Sequence, residues 1–126
     1  MERLFWICLA GAAGTGARYL VGLWAGQRLG TTFPWGTLIV NLSGCFLISF
    51  IMVLALSLSS ISATLRLALT TGFLGGLTTY SSFNYETTRL FNDGATRAAF
   101  VNLGLTLVGC LVAGLLGLAA ARRLVG

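Results

Sequence analysis

The chain has 126 residues, of which 56% are hydrophobic and 9% charged: eight arginines, three acidic residues, no lysine and no histidine. A soluble domain carries about 25% charged residues, so a soluble globular protein is excluded and residues 1–126 read as a single four-span membrane domain. The net charge of +5 comes from arginines scattered mostly at span ends, which fits anionic lipid headgroups and no nucleic acid, and the lack of histidine or an obvious carboxylate pair points away from an enzyme.

A helix needs roughly 20 apolar residues to cross the hydrocarbon core. Charge-free stretches lie between Arg28 and Arg66, between Arg66 and Glu86, and between Arg97 and Arg122, and a fourth apolar stretch is interrupted only by Arg18. The predicted spans are therefore Leu4–Gln27, Phe33–Leu58, Thr64–Phe91 and Thr96–Arg122. The first resembles a leader peptide in its Glu2-Arg3 start and its small residues Ala10–Ala13. It stays apolar past Arg18, however, and reads as a retained span. Gly14, Arg18, Gly22 and Gly26 recur at spacing four, so Arg18 lies on a small-residue face that suits close helix packing. Its guanidinium then faces protein or a water-filled cavity, where a buried cation favours an anion. The competing reading is an arginine that snorkels to the interface.

Gly30 to Thr32 closes the first span, and Pro34 suits the first turn of the second. Thr37, Asn41 and Cys45 share one face there, offering hydroxyl and amide donors that can replace water around an anion. Such groups also simply bond helix to helix, for about 0.6 kcal/mol each. After the serine-rich turn Ser57–Ser62, the third span carries three glycines and then a dense run of hydroxyls, Thr70 to Asn84. Each glycine costs about 1 kcal/mol relative to alanine in a helix interior, and a break is expected here. In a membrane, freed backbone groups are tolerated only where buried or lining a cavity, and such groups hold ions. Tyr80 and Phe83 follow on one face, and their positive ring edges can meet an anion. Glu86 falls late in this span, toward the interface. Asn92-Asp93-Gly94 is a turn. The last span repeats the polar stripe with Asn102, Thr106 and Cys110. The three cysteines, Cys8, Cys45 and Cys110, are dispersed and give no disulfide framework or metal spacing.

Four spans put both termini on one side with Arg3, Arg66, Arg122 and Arg123; the opposite side carries Arg28, Arg89 and Arg97. Orientation follows the basic bias of the loops, and four against three is a weak bias. Dual topology, with antiparallel pairing of two copies, and one orientation fixed by local context are both compatible with it.

Together these residues resemble the Fluc-type fluoride channel family, also called CrcB. The resemblance covers nearly the whole chain. It rests on Gly11-x-x-Gly14 with Arg18-Tyr19, on Pro34-Trp35-Gly36-Thr37-Leu38 leading to Asn41, and on Gly72-Phe73-Leu74-Gly75-Gly76-Leu77-Thr78-Thr79. It implies an all-α, four-helix, antiparallel dual-topology homodimer in the bacterial inner membrane, multi-pass, with two passive fluoride pores along the subunit interface. It also implies a structural sodium ion at the dimer centre, held by carbonyls that map to Gly75 and Thr78. The fluoride-contacting aromatics map to Tyr80 and Phe83, their polar partner to Asn41, and the polar track to Ser81, Asn102 and Thr106. Tyr80 departs from the usual phenylalanine, and Cys110 from an expected serine. The main rival is a small four-span proton-coupled multidrug exporter, which needs a carboxylate in its first span where this chain has Arg18. A structural subunit without transport is the third reading.

Overall fold

The computed structural model describes all 126 residues and is helical throughout, with no strand. Helix α1 spans Glu2–Leu29, α2 Trp35–Ser57, α3 residues 63–77, α4 Tyr80–Asn92 and α5 Thr96–Val125. Helices α1, α2 and α5, of 28, 23 and 30 residues, are each long and apolar enough to cross a membrane. At 1.5 Å rise per residue, a crossing takes about 20 residues, so α3 and α4 reach that length only as one interrupted unit. Three complete crossings and one split crossing agree with the four predicted spans, whose ends differ by a few residues.

The split crossing is built in steps. Ser62 caps the start of α3 by accepting the Leu65 amide at 3.1 Å. Ala63–Leu67 is α-helical, Ala68–Leu74 widens into a π-helical turn, and Gly75–Leu77 returns to α geometry. Such π turns inside helices collect at functional sites. Gly75 itself has helical dihedrals, φ −62° and ψ −36°. The expected break is present, but two residues beyond the glycines whose helix cost suggested it.

Those glycines serve packing instead. Across the α1–α3 contact, a Cβ on Gly14 would run into the Phe73 carbonyl, so the two backbones meet without side chains between them. Gly117 does the same for α5 against Phe46 of α2. This is the small-residue packing that membrane helices use where no hydrophobic effect drives them together. The partners pair in matching order along each helix, so α1 runs parallel to α3 and α2 parallel to α5. Val40, Leu74 and Leu77 form the buried core, packed by Ala17, Val21, Leu47, Ile51 and Phe73. It lies immediately beside the break. Large apolar side chains such as Leu20, Trp24, Leu107, Leu111 and Leu116 point outward, as a membrane solvent permits.

Candidate functional site

The break occupies Thr78 and Thr79, both extended, with φ/ψ of −84°/154° and −153°/114°. In an unbroken helix the Thr79 amide would bond the Gly75 carbonyl, and the Ser82 amide the Thr78 carbonyl. Neither does so here. The Thr79 amide donates to Asn41 Oδ1 at 2.8 Å, and the Ser82 amide to Thr79 Oγ1 at 3.2 Å, which caps α4. The carbonyls of Gly75 and Thr78 thus lose their helical partners. Asn41 Nδ2 completes a two-point clamp by donating to the Thr79 carbonyl at 3.0 Å. Arg18 Nη1 reaches the Thr78 carbonyl at 3.4 Å, a long bond that leaves that oxygen free for a further partner. Arg18 is half-buried and faces protein, on the small-residue side of α1.

Two cavities flank the break. One, of about 400 Å³, is lined by Thr15, Arg18, Thr37, Thr79 and Ser82 among others. The other, of about 260 Å³, is lined by Asn41, Cys45, Thr78, Thr79, Tyr80, Thr106 and Cys110, with Leu107. Thr79 lines both, so the extended dipeptide separates a compartment with a fixed cation from one with hydroxyl, amide and thiol groups. Thr106 and Cys110 of α5 face the same cavity as Asn41 and Cys45 of α2, so the two polar stripes meet across the parallel α2–α5 seam.

The remaining sequence-selected residues fall in different places. Tyr80 is 74% exposed and Phe83 only 3%, with ring centroids 5.5 Å apart and edges turned toward faces at 62°. Ser81 is exposed and lies 3.3 Å from Thr79 Oγ1, but lines neither cavity. Asn102, fully buried, donates to Thr87 Oγ1 at 2.9 Å, and Thr87 donates to the Phe83 carbonyl. It ties α5 to α4 and stands apart from the cavity that Thr106 lines. Gly75 is exposed, and a Cβ there would meet only the Thr70 carbonyl at 3.9 Å.

Three features escaped the sequence reading. Thr79 is the hub of the clamp; the hydroxyl run contained it without singling it out. Gly44 lets Thr78 pack on α2, since a Cβ at Gly44 would collide with the Thr78 methyl. Glu86 Oε1 accepts from Thr37 Oγ1 at 2.8 Å, while its Oε2 is buried without a partner. Thr37 therefore leaves the stripe of Asn41 and Cys45. Two polar residues on neighbouring apolar spans were the available clue.

Helices long enough to cross a membrane, one interrupted crossing and polar cavities at the interruption define a multi-pass membrane protein. Residues 5–118 match the family described as CrcB-like protein, Camphor Resistance (CrcB). Over 125 residues the chain is 54% identical to a fluoride-specific ion channel FluC of Sorangium cellulosum (strain So ce56), covering 99% of this chain and 98% of that protein. It is 49% identical over 126 residues to the protein of the same name from Anaeromyxobacter sp. (strain K), covering all of both. A relative from Geobacter sp. (strain M21), also so named, is 48% identical over 124 residues, covering 98% of this chain and all of that protein. The chain belongs to the CrcB family.

Proposed function

We propose that this protein is a passive fluoride channel of the bacterial inner membrane, active as an antiparallel homodimer with two pores. As a member of a channel family it is not an enzyme. The observation that carries the reading is the clamped break at Thr78–Thr79, with Arg18 on one side and the Asn41–Thr106 cavity on the other. A fixed guanidinium at the neck of a low-dielectric passage draws anions and repels cations. Beyond the neck, Asn41, Thr106 and the ring edge of Tyr80, which packs on the buried Phe83, offer donors for a small anion that has shed water. The second copy would supply the other wall of each pore, and lipid the outer surface.

The Gly75 and Thr78 carbonyls fit a sodium ion by chemistry: they are hard oxygen donors, freed from their helical amides by the clamp. Two antiparallel chains would present four of them. Such an ion would supply a positive charge that joins the subunits; this chain's part is to hold the carbonyls free, through Asn41 and Thr79.

The exporter reading needs a membrane-embedded carboxylate that cycles protons. Glu86 is the carboxylate within a span, and it is tied to Thr37 at the start of α2. Fluoride and chloride efflux from liposomes containing only the purified protein decides between the readings. We expect fluoride efflux down its gradient with no imposed proton gradient, and little chloride efflux. Efflux that appears only with a proton gradient, or none at all, overturns the proposal.

A further inference from the structure

Cys45 of α2 and Cys110 of α5 lie on opposite walls of the α2–α5 seam, close enough to share its cavities. Both are half-buried, whereas the third cysteine, Cys8, is exposed on α1. The pair lines two cavities at once. On one side is an apolar recess with Ile48, Leu111 and Leu115. On the other is the 260 Å³ cavity that holds Asn41, Thr106 and Tyr80. The anion path, as proposed, therefore passes two sulfur atoms beside the oxygen and nitrogen groups of Asn41, Thr78, Thr79, Tyr80 and Thr106.

We propose that Cys45 and Cys110 form a two-thiol site that chelates a soft divalent cation of linear coordination and thereby plugs this cavity. Thiolates select soft metals over the hard cations that oxygen ligands take. Zinc would need about four ligands, and nowhere in the chain do three or more Cys, His, Asp or Glu residues gather. A metal satisfied by two sulfurs is required, and the mercuric ion is one. Its binding breaks two S–H bonds and forms two S–Hg bonds, and both protons leave to water. Two thiolates and one divalent cation sum to zero charge, which matters because an uncompensated charge in this interior is costly. A monovalent soft ion would balance only one thiolate, leaving the second sulfur a neutral and weaker ligand.

Closure of the path rests on the fluoride-channel reading; chelation does not, and the test separates them. The starting protein is Cys8→Ala, which removes the exposed thiol. Mercuric ion is titrated into it in detergent, and the thiols still open to maleimide are counted. Loss of two thiols per metal ion is expected. Loss of one thiol per metal overturns the chelate without any substitution at the seam. The same protein in liposomes is then assayed for fluoride efflux with and without mercuric ion. Efflux should fall to that of protein-free liposomes and return on adding dithiothreitol. In Cys8→Ala/Cys45→Ala, the ratio of treated to untreated efflux should be near unity. Equal inhibition in both proteins overturns the plug. Untreated protein that passes no fluoride defeats the channel reading alone, since the thiol count still decides chelation.

Discussion

Asn41 is 7% exposed, and both ends of its carboxamide are committed to the backbone of Thr79. A side-chain amide pairing with a main-chain amide in this way does for the break what a neighbouring turn would do in a continuous helix. One N–H of Nδ2 remains for the cavity. The residue thus has a holding role and, in the proposed function, a path role, and substitutions can divide them. Asn41→Ser is too short to reach either Thr79 group. It should destabilise the protein by on the order of 1–3 kcal/mol, the cost of leaving buried polar groups unpaired, read as a lower melting temperature in detergent. Asn41→Asp keeps an acceptor for the Thr79 amide but sets a carboxylate against the Thr79 carbonyl and toward the cavity. Its fluoride efflux should be lower than that of Asn41→Ser, because the negative charge repels the anion. Equal efflux in the two variants would leave Asn41 only the clamp.

At the scale of elements, the spans were legible because a charge in hydrocarbon is costly, so charge-free stretches betray helices directly. The faces of α2 and α5 were legible from their spacing of four. What periodicity does not reveal is the partner of each group on a face. Asn102 and Thr106 share a stripe, yet one bonds Thr87 and the other lines the cavity. The break was legible from the run of hydroxyls, but glycine cost was the wrong reason. Gly75 and Gly76 remain helical, while Thr78 and Thr79 are pulled into extended geometry by tertiary hydrogen bonds that no local propensity records. The π turn left no trace in the sequence pattern. One prediction tests how α2 shapes the break. Gly44→Ala would drive its methyl into the Thr78 methyl. It should cost about 1–3 kcal/mol, as overpacking does, and reduce efflux. Thr78→Ser removes that methyl and keeps both the carbonyl and the hydroxyl that donates to Leu74 at 2.9 Å. The double variant Gly44→Ala/Thr78→Ser should therefore recover most of the stability and efflux. Additive losses in the double variant would mean that the two residues do not meet.

For the whole molecule, the proposed assembly follows from charge and symmetry. If the loop arginines hold no strong bias, a tag at either terminus should be reachable from both sides of the membrane, and two lysines added to one loop should fix the orientation and lower efflux. Labelling from one side only in the unaltered protein would defeat dual topology. The proposed sodium ion ties the break to the dimer. Gly75 is exposed on the single chain, and a Cβ there would meet only the Thr70 carbonyl, at an ordinary 3.9 Å. A leucine there would crowd an opposing copy while barely touching its own chain, so Gly75→Leu should weaken the dimer. The Gly75 carbonyl, and the Thr78 carbonyl with only its long Arg18 bond, would call for a cation once buried against each other, since under-satisfied oxygens in a dry interior are costly. An ion that bridges two chains binds the dimer and not the separated subunits, so it stabilises the dimer by mass action. Four carbonyls around a symmetry axis form a closed cage, and the ion should not be transported. Replacing sodium on both sides by a large organic cation should then lower dimer stability and fluoride efflux together. Both remaining unchanged after complete replacement would rule out a structural sodium ion.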